Sequence, residues 1–201
     1  MSAVGEVELG FEDSEGDKAR FGEILQHHRA RLRRLVELRL DQRVRGRVDA
    51  SDVVQEMQLE AFSRVDEYFR SPEVPLFVWL RFLALQKVAQ VHRRHLGTQA
   101  RDVSREISLS RGELPAATSA ALAAQLVGTL TTASQAAVRA EMKSRVEQAL
   151  SEMESKDREV LTLLHFEQLS QREAAAVLEI SEKALGGRHV RALAKLRKLI
   201  V

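Results

Sequence analysis

The run Ser170-Gln-Arg-Glu-Ala-Ala-Ala-Val-Leu-Glu-Ile-Ser181 admits few local structures. Ser170 and Glu173 have the spacing of a capping box, in which each side chain takes up a backbone N–H left open at a helix start. Leu169, ahead of the cap, is placed to staple the same helix. After the short Ile180-Ser181 turn a second helix is predicted from Glu182 to Leu199. There Leu185, His189, Ala192, Leu196 and Leu199 recur at spacings of three and four as an inward stripe, while Lys183, Arg188, Arg191, Lys195 and Lys198 lie outside or beside it. Two short helices meeting at a tight polar turn, the second one basic, are a way to put side chains into a DNA groove.

Composition narrows the rest. At 201 residues and 44% hydrophobic content the chain holds one medium domain or two small ones with real cores. Aromatic residues make up 4% and there are 3 prolines, so Leu, Ala and Val must do the packing, which favours helices over a β-sandwich. The absence of cysteine removes disulfides, thiol catalysis and cysteine-ligated metal centres, and fits a reducing interior. With no signal-like opening and no apolar run of spanning length, the chain reads as soluble and cytoplasmic, without membrane insertion.

Net charge is only +2, but the charges are segregated. Residues 1–18 carry Glu6, Glu8, Glu12, Asp13, Glu15 and Asp17 against Lys18 alone. Arg29 through Arg47 holds eight arginines with only Glu37 and Asp41 as acids, and Lys183 to the end carries six basic side chains and no acid. Such separation attracts a polyanion to particular faces of a nearly neutral protein.

The fold class expected is all-α: two small helical domains joined by a flexible linker, the C-terminal one a helix-turn-helix. Residues 1–17 read as an acidic disordered tail, 18–106 as the first domain, 107–133 as the linker and 134–201 as the second domain. In the first domain, a helix to about residue 42 carries the stripe Phe21, Ile24, Leu25, Leu32, Leu35 and Val36. A second begins near Asp49 to Asp52, capped by either Asp49 or Ser51. Its inward face is Val53, Val54, Met57, Ala61, Phe62 and Val65, and Asp52, Glu56 and Glu60 form an acidic ridge on the other side. Ser71-Pro72-Glu73-Val74-Pro75 breaks the chain, and a third helix runs from Leu76 to His95 before Gly97. Residues 107 to 133 show no convincing amphipathic run. Beyond them a helix from Gln135 to Leu150 turns Val138, Met142, Val146 and Ala149 inward, and another spans Lys156 to Phe166.

Two stretches of this pattern resemble a known family, the bacterial RNA polymerase sigma factors of the small, extracytoplasmic-function, sigma-70-like class. Asp52-Val-Val-Gln-Glu56 matches that family's Asp-x-x-Gln-Glu signature and is followed by a Trp79-Leu80 helix closing on Arg93-Arg94. Ala149-Leu150, Arg158-Glu-Val-Leu161, Phe166-Glu-x-Leu-Ser170, Glu173, Ala175, Leu178, Ile180-Ser181, Arg188, Arg191-Ala192 and Leu196-Arg197 follow its promoter-reading helix-turn-helix. The run Arg43 to Glu56, containing Arg47-Val-Asp-Ala-Ser-Asp52, is similar to planctomycete members.

The resemblance implies partners and roles. Asp52, Gln55 and Glu56 are expected to dock on the clamp helices of the largest subunit of core RNA polymerase; an exposed carboxylate ridge suits a basic protein and not DNA. The segment from Trp79 through Arg105 is expected to face promoter DNA at the minus-ten element. Arg93, Arg94, Arg101 and Arg105 are its phosphate candidates, and Tyr68 and Phe69, in the loop Glu67 to Pro75, are candidates for base capture. Trp79 reads as core. Lys183, Arg188 and Arg191 are expected to read duplex at the minus-thirty-five element, with Arg172 holding a phosphate and His189 packing inward. An anti-sigma protein is a candidate further partner.

The sequence also departs from the family. Gly186-Gly187 falls inside the recognition helix, where two glycines cost roughly 2 kcal/mol of helix propensity relative to alanine. Gln86 and Gln90 replace the usual Asn and Asp. No cofactor and no catalytic or metal site is expected: the six histidines form no ligand set. Two other readings stay open, a free-standing helix-turn-helix regulator and a degenerate sigma-like protein that binds a regulatory partner without reading promoters.

Overall fold

A computed structural model describes residues 15–96, 119–130 and 136–200, and among them every regular element is helical. Helix α1 spans Glu15–Arg39, and a single turn, α2, follows at Gln42–Arg45. The Asp41 side chain caps α2 by accepting from the Arg43 N–H at 2.8 Å, and the Arg43 guanidinium returns to it; these bonds hold the Asp41 carboxyl down at about 2. Helix α3, Ala50–Arg70, starts on Asp49, which accepts from the Ser51 N–H at 2.6 Å. Asp49, and not Ser51, is therefore the cap.

Helix α4, Leu76–Leu96, packs against α1 and α3. Phe21, Leu25, Leu32, Leu35, Val53, Val54, Met57, Leu80, Leu83 and Val88 interlock between the three and are withdrawn from water, as the apolar spacing predicts. Trp79 belongs to this core, as expected. Phe62 does not behave as a purely inward residue: it stays 40% exposed while meeting Phe21 edge to face at 5.2 Å. Glu60, expected on the outward ridge, swings to Lys87 of α4 at 2.7 Å and also meets Arg64. The Lys87 contact, foremost, holds its carboxyl below the ordinary range.

Part of the expected linker is helical. Helix α5 covers Ser119–Leu130 and packs on α6, Ala136–Glu152. Periodicity conceals it because its inward residues are mostly alanines: Ala121, Leu122 and Ala123 are buried beside Val146, Leu150 and Leu38. Alanine's high propensity supports a helix without an amphipathic stripe. Met142, expected inward, is partly exposed, and the side chain of Val138 lies outside those described.

Helix α7, Ser155–Leu161, widens into a π-helical turn at Thr162–Phe166 before Glu167. Helices α8, Gln171–Leu178, and α9, Glu182–Ile200, form the helix-turn-helix. The capping box closes as read: Glu173 N–H donates to Ser170 Oγ at 3.1 Å and Ser170 N–H donates to Glu173 Oε2 at 2.7 Å. Glu179, at φ 53, ends α8 in the left-handed conformation, so its N–H meets the last carbonyls of the helix.

Candidate nucleic-acid interface

Helix α9 is sided by its own sequence. At about 100° per residue, the buried Leu185 and Ala192 lie with the half-buried His189 and Leu196 on one flank, against α7, α6 and α8. Lys183 and Arg191 are exposed on the opposite flank, and Arg188 is half-exposed beside them. Arg172 is exposed in the first turn of α8. The three basic residues expected on the recognition helix thus share one broad face with Gly187, Val190 and Lys198, and Arg172 stands on the preceding helix. Val190, 67% exposed, puts an apolar contact within that face.

Two contacts fix the orientation of α9. The Lys195 ammonium donates to Asp157 at 2.5 Å and to Glu154 at 3.3 Å, so Lys195 belongs to the seam with α7; its charge is held by the Asp157 bond first, which raises its pKa. His189 lies with its Nε2 2.7 Å from that of His165, one ring donating and the other accepting. His189, expected to pack inward, is half-buried and hydrogen-bonded. Two imidazoles do not make a ligand set, and no group of three metal-binding side chains occurs among the described residues.

On α3 the residues Asp52, Gln55 and Glu56 are all exposed. Their spacings of three and four put them on one face, turned away from the Val53, Val54 and Met57 side. Leu59, three residues beyond Glu56, extends the same face and is 72% exposed. Its signal was available in sequence: an apolar residue at the i+3 position of a polar ridge.

Tyr68 and Phe69 fall in the last turn of α3 and not in a loop. The helix runs on to Arg70, and both rings are half-buried against the core, Phe69 meeting Phe21 edge to face at 6.3 Å. The Tyr68 ring stacks on Trp79. Arg93 and Arg94 are exposed in the last turn of α4, where positive charge also complements the helix dipole. Arg101 and Arg105 lie outside the described residues.

Sequence reasoning missed a charged cluster at the junction of the two helical units. Arg39 of α1 and Arg81 of α4 converge on Glu167, with Glu159 at the edge. Burial pushes the Glu167 carboxyl up, but the guanidiniums of Arg39 and Arg81 outweigh it and hold it below the ordinary range.

Comparison with known proteins places these faces in context. Residues 143–196, which include α7, α8 and most of α9, match the family described as Sigma-70, region 4. Over 194 residues the chain is 30% identical to RNA polymerase sigma factor CnrH of Cupriavidus metallidurans, covering 96% of this chain and 92% of that protein. It is also similar to the solved structure of CnrH in complex with the cytosolic domain of CnrY, at 26% identity and a TM-score of 0.49, covering 92% of this chain and 90% of that one. No helix among the described residues is long and apolar enough to cross a membrane.

Proposed function

The chain belongs to the RNA polymerase sigma factors, of the extracytoplasmic-function type, and from that premise we propose that it recruits core RNA polymerase to promoters through two separate helical faces. The outward face of α3, with Asp52, Gln55, Glu56 and Leu59, meets the clamp helices of the polymerase's largest subunit. The basic face of α9, with Lys183, Arg188 and Arg191, enters the major groove at the minus-thirty-five element, and Arg172 holds a phosphate beside it. Phosphate contacts of this kind set register, while side chains at base edges supply specificity. Arg93 and Arg94, with Arg101 and Arg105 following, hold the displaced strand at the minus-ten element, where Tyr68 and Phe69 supply aromatic surface. The protein needs no cofactor and performs no catalysis of its own; nucleotide chemistry belongs to the polymerase, in the cytoplasm.

One observation carries this reading: a single chain exposes an acidic, apolar-tipped helix face and a separate basic recognition face. A free-standing regulator that dimerises on DNA has no use for the first. The exposed Val190 and Leu193 on α9 also suit a regulatory protein partner of the anti-sigma kind, which takes apolar side chains and covers the basic face at once. The test is transcription by purified protein with core polymerase on a genome-derived template library, followed by mapping of transcript ends. Start sites concentrated downstream of a common two-part sequence are expected, and a pattern equal to that of core enzyme alone defeats the reading.

A further inference from the structure

Helix α9 carries an apolar side chain where its surroundings are cationic. Lys183, Gly187, Val190, Ala194 and Lys198 follow one another along a single line of the helix at spacings of four, three, four and four, and all are exposed. Arg191 stands exposed beside that line. Val190 lies about 140° around the helix from the buried Leu185, so it belongs to the outward face and not to an edge of the core. At 67% exposed it shows far more of its surface than Leu193, one turn on, at 41%. Its neighbours on the line have no side chain at Gly187 and a single methyl at Ala194, so the isopropyl group projects beyond them toward whatever the face meets.

That projection is held still. His189, the preceding residue, is hydrogen-bonded to His165 of the π-helical turn at 2.7 Å, and Lys195, further along, is anchored to Asp157 at 2.5 Å. These bonds stand on either side of Val190 in the chain and fix the rotation of α9 about its own axis. Within a helix a β-branched side chain is confined to one strongly preferred rotamer, so the two methyl groups of Val190 meet a ligand with little freedom left to lose. The same branching makes valine a poorer helix former than alanine, and at this exposure the core gains little from it.

A helix that sets Lys183 and Arg191 against phosphates and base edges brings Val190 to the floor of the major groove. The groove displays hydrogen-bonding groups on every base pair, but the apolar group of its code is the C5 methyl of thymine. An isopropyl group pressed against any other base edge strips water from donors or acceptors that it cannot replace. We propose that Val190 is a specificity-determining residue of α9: it packs against a thymine C5 methyl in the minus-thirty-five element and so selects a T·A pair at one position. The proposal rests on the assignment of α9 to that element.

The test removes the methyl from the DNA. In a promoter fragment chosen by the transcript mapping, each thymine of the minus-thirty-five element, on both strands, is replaced singly by deoxyuridine, which differs from it by that methyl alone. Binding is measured with holoenzyme assembled from core polymerase and the full chain, parent or Val190→Ala. For the parent, uracil at one position should weaken binding about fourfold, which is what the burial of one methyl group is worth, and uracil elsewhere should change it less. Val190→Ala should bind the unmodified fragment more weakly by a similar factor and should no longer distinguish thymine from uracil at that position. Its melting temperature should hold or rise, because alanine is the better helix former. A Val190→Ala holoenzyme that still distinguishes the two bases as the parent does, or a parent indifferent to uracil at every position, overturns the proposal and leaves Val190 to the surface of a protein partner. A parent holoenzyme indifferent to scrambling of the whole element defeats the assignment of α9, and the thymine contact with it. Scrambling that matters while uracil does not defeats the role of Val190 alone.

Discussion

Tyr68 lies almost flat against Trp79, with ring centroids 4.9 Å apart and planes 29° from parallel, and its hydroxyl donates to the Val74 carbonyl at 2.7 Å. The stack ties the end of α3 to the start of α4 across the proline-bearing break, so the half-buried Tyr68 shapes that loop. Tyr68→Phe keeps the ring and loses one hydrogen bond, at a cost of about 1 kcal/mol. Tyr68→Ala also loses the stack and its buried area, which brings the cost to about 3 kcal/mol. Urea denaturation of the two variants should separate these values. Strand opening at a promoter should survive in the phenylalanine variant and fall in the alanine one, whereas equal opening in both removes Tyr68 from base capture.

His28 sits between α1 and α4 with its Nδ1 buried and without a hydrogen-bond partner among the described residues, its ring 5.1 Å from that of Phe77. Burial first, then the charges of Arg31 and His27, push its pKa down to about 4 against the opposing pull of Glu173. Because the folded value lies below the unfolded one, the unfolded chain binds the extra proton between about 4 and the ordinary 6.5. Stability is therefore full above 6.5 and is lost as pH falls through that window. His92 and His165, also lowered chiefly by burial, add to the same limb. His28→Gln should flatten the fall in melting temperature between pH of about 7 and about 5, and a slope equal to the parent's rejects the assignment to His28.

Features set by neighbours in sequence were legible there. The capping box at Ser170 and Glu173, the core stripes of α1 and α3, and the inward Leu185 and Ala192 follow from spacing alone, because helix geometry makes residues three and four apart neighbours. The helix α5 escaped because an alanine-rich stretch has propensity without amphipathicity. Glu167 escaped for a different reason. Its partners stand 128 and 86 residues away, and no local period distinguishes a carboxylate that will be buried by arginines from one left on the surface. The extension of α3 through Tyr68 and Phe69 was hidden by Pro72, which marks where a helix must stop and not how closely it approaches.

The exposed positions of Asp52 and Glu56, outside the core of α3, make their substitution nearly silent for the fold. Charge reversal with Asp52→Lys and Glu56→Lys should change stability by no more than about 0.5 kcal/mol. Affinity for core polymerase should fall at least about tenfold, through like-charge contact with a basic partner. Leu59→Ser should lower the same affinity by removing the apolar tip, again without a fall in melting temperature. A fluorescence titration with core enzyme reads all three, and duplex binding by α9 serves as the internal control. Unchanged core affinity in the double reversal defeats the clamp-helix assignment.

Nothing among the described residues requires glycine at Gly186 or Gly187. Both are helical, a Cβ at Gly186 would meet nothing within 4 Å among the described residues, and one at Gly187 would make only an ordinary 3.5 Å contact there with the Arg191 guanidinium. Each glycine inside a helix costs about 1 kcal/mol relative to alanine. Gly186→Ala and Gly187→Ala should therefore each stabilise the protein by about that amount. A cost that packing does not explain points to what α9 meets. Gly187 lies between Lys183 and Arg191 on the outward face, where a bare backbone lets the sugar-phosphate chain come closer than any side chain permits. Gly187→Ala should then weaken binding to the minus-thirty-five duplex several-fold while raising the melting temperature, and Gly186→Ala, to the side of that face, should weaken it less. Duplex titration beside thermal melting separates the outcomes: a stabilised Gly187→Ala that binds as tightly as the parent removes the close-approach role and supports a recognition helix already weakened for reading DNA.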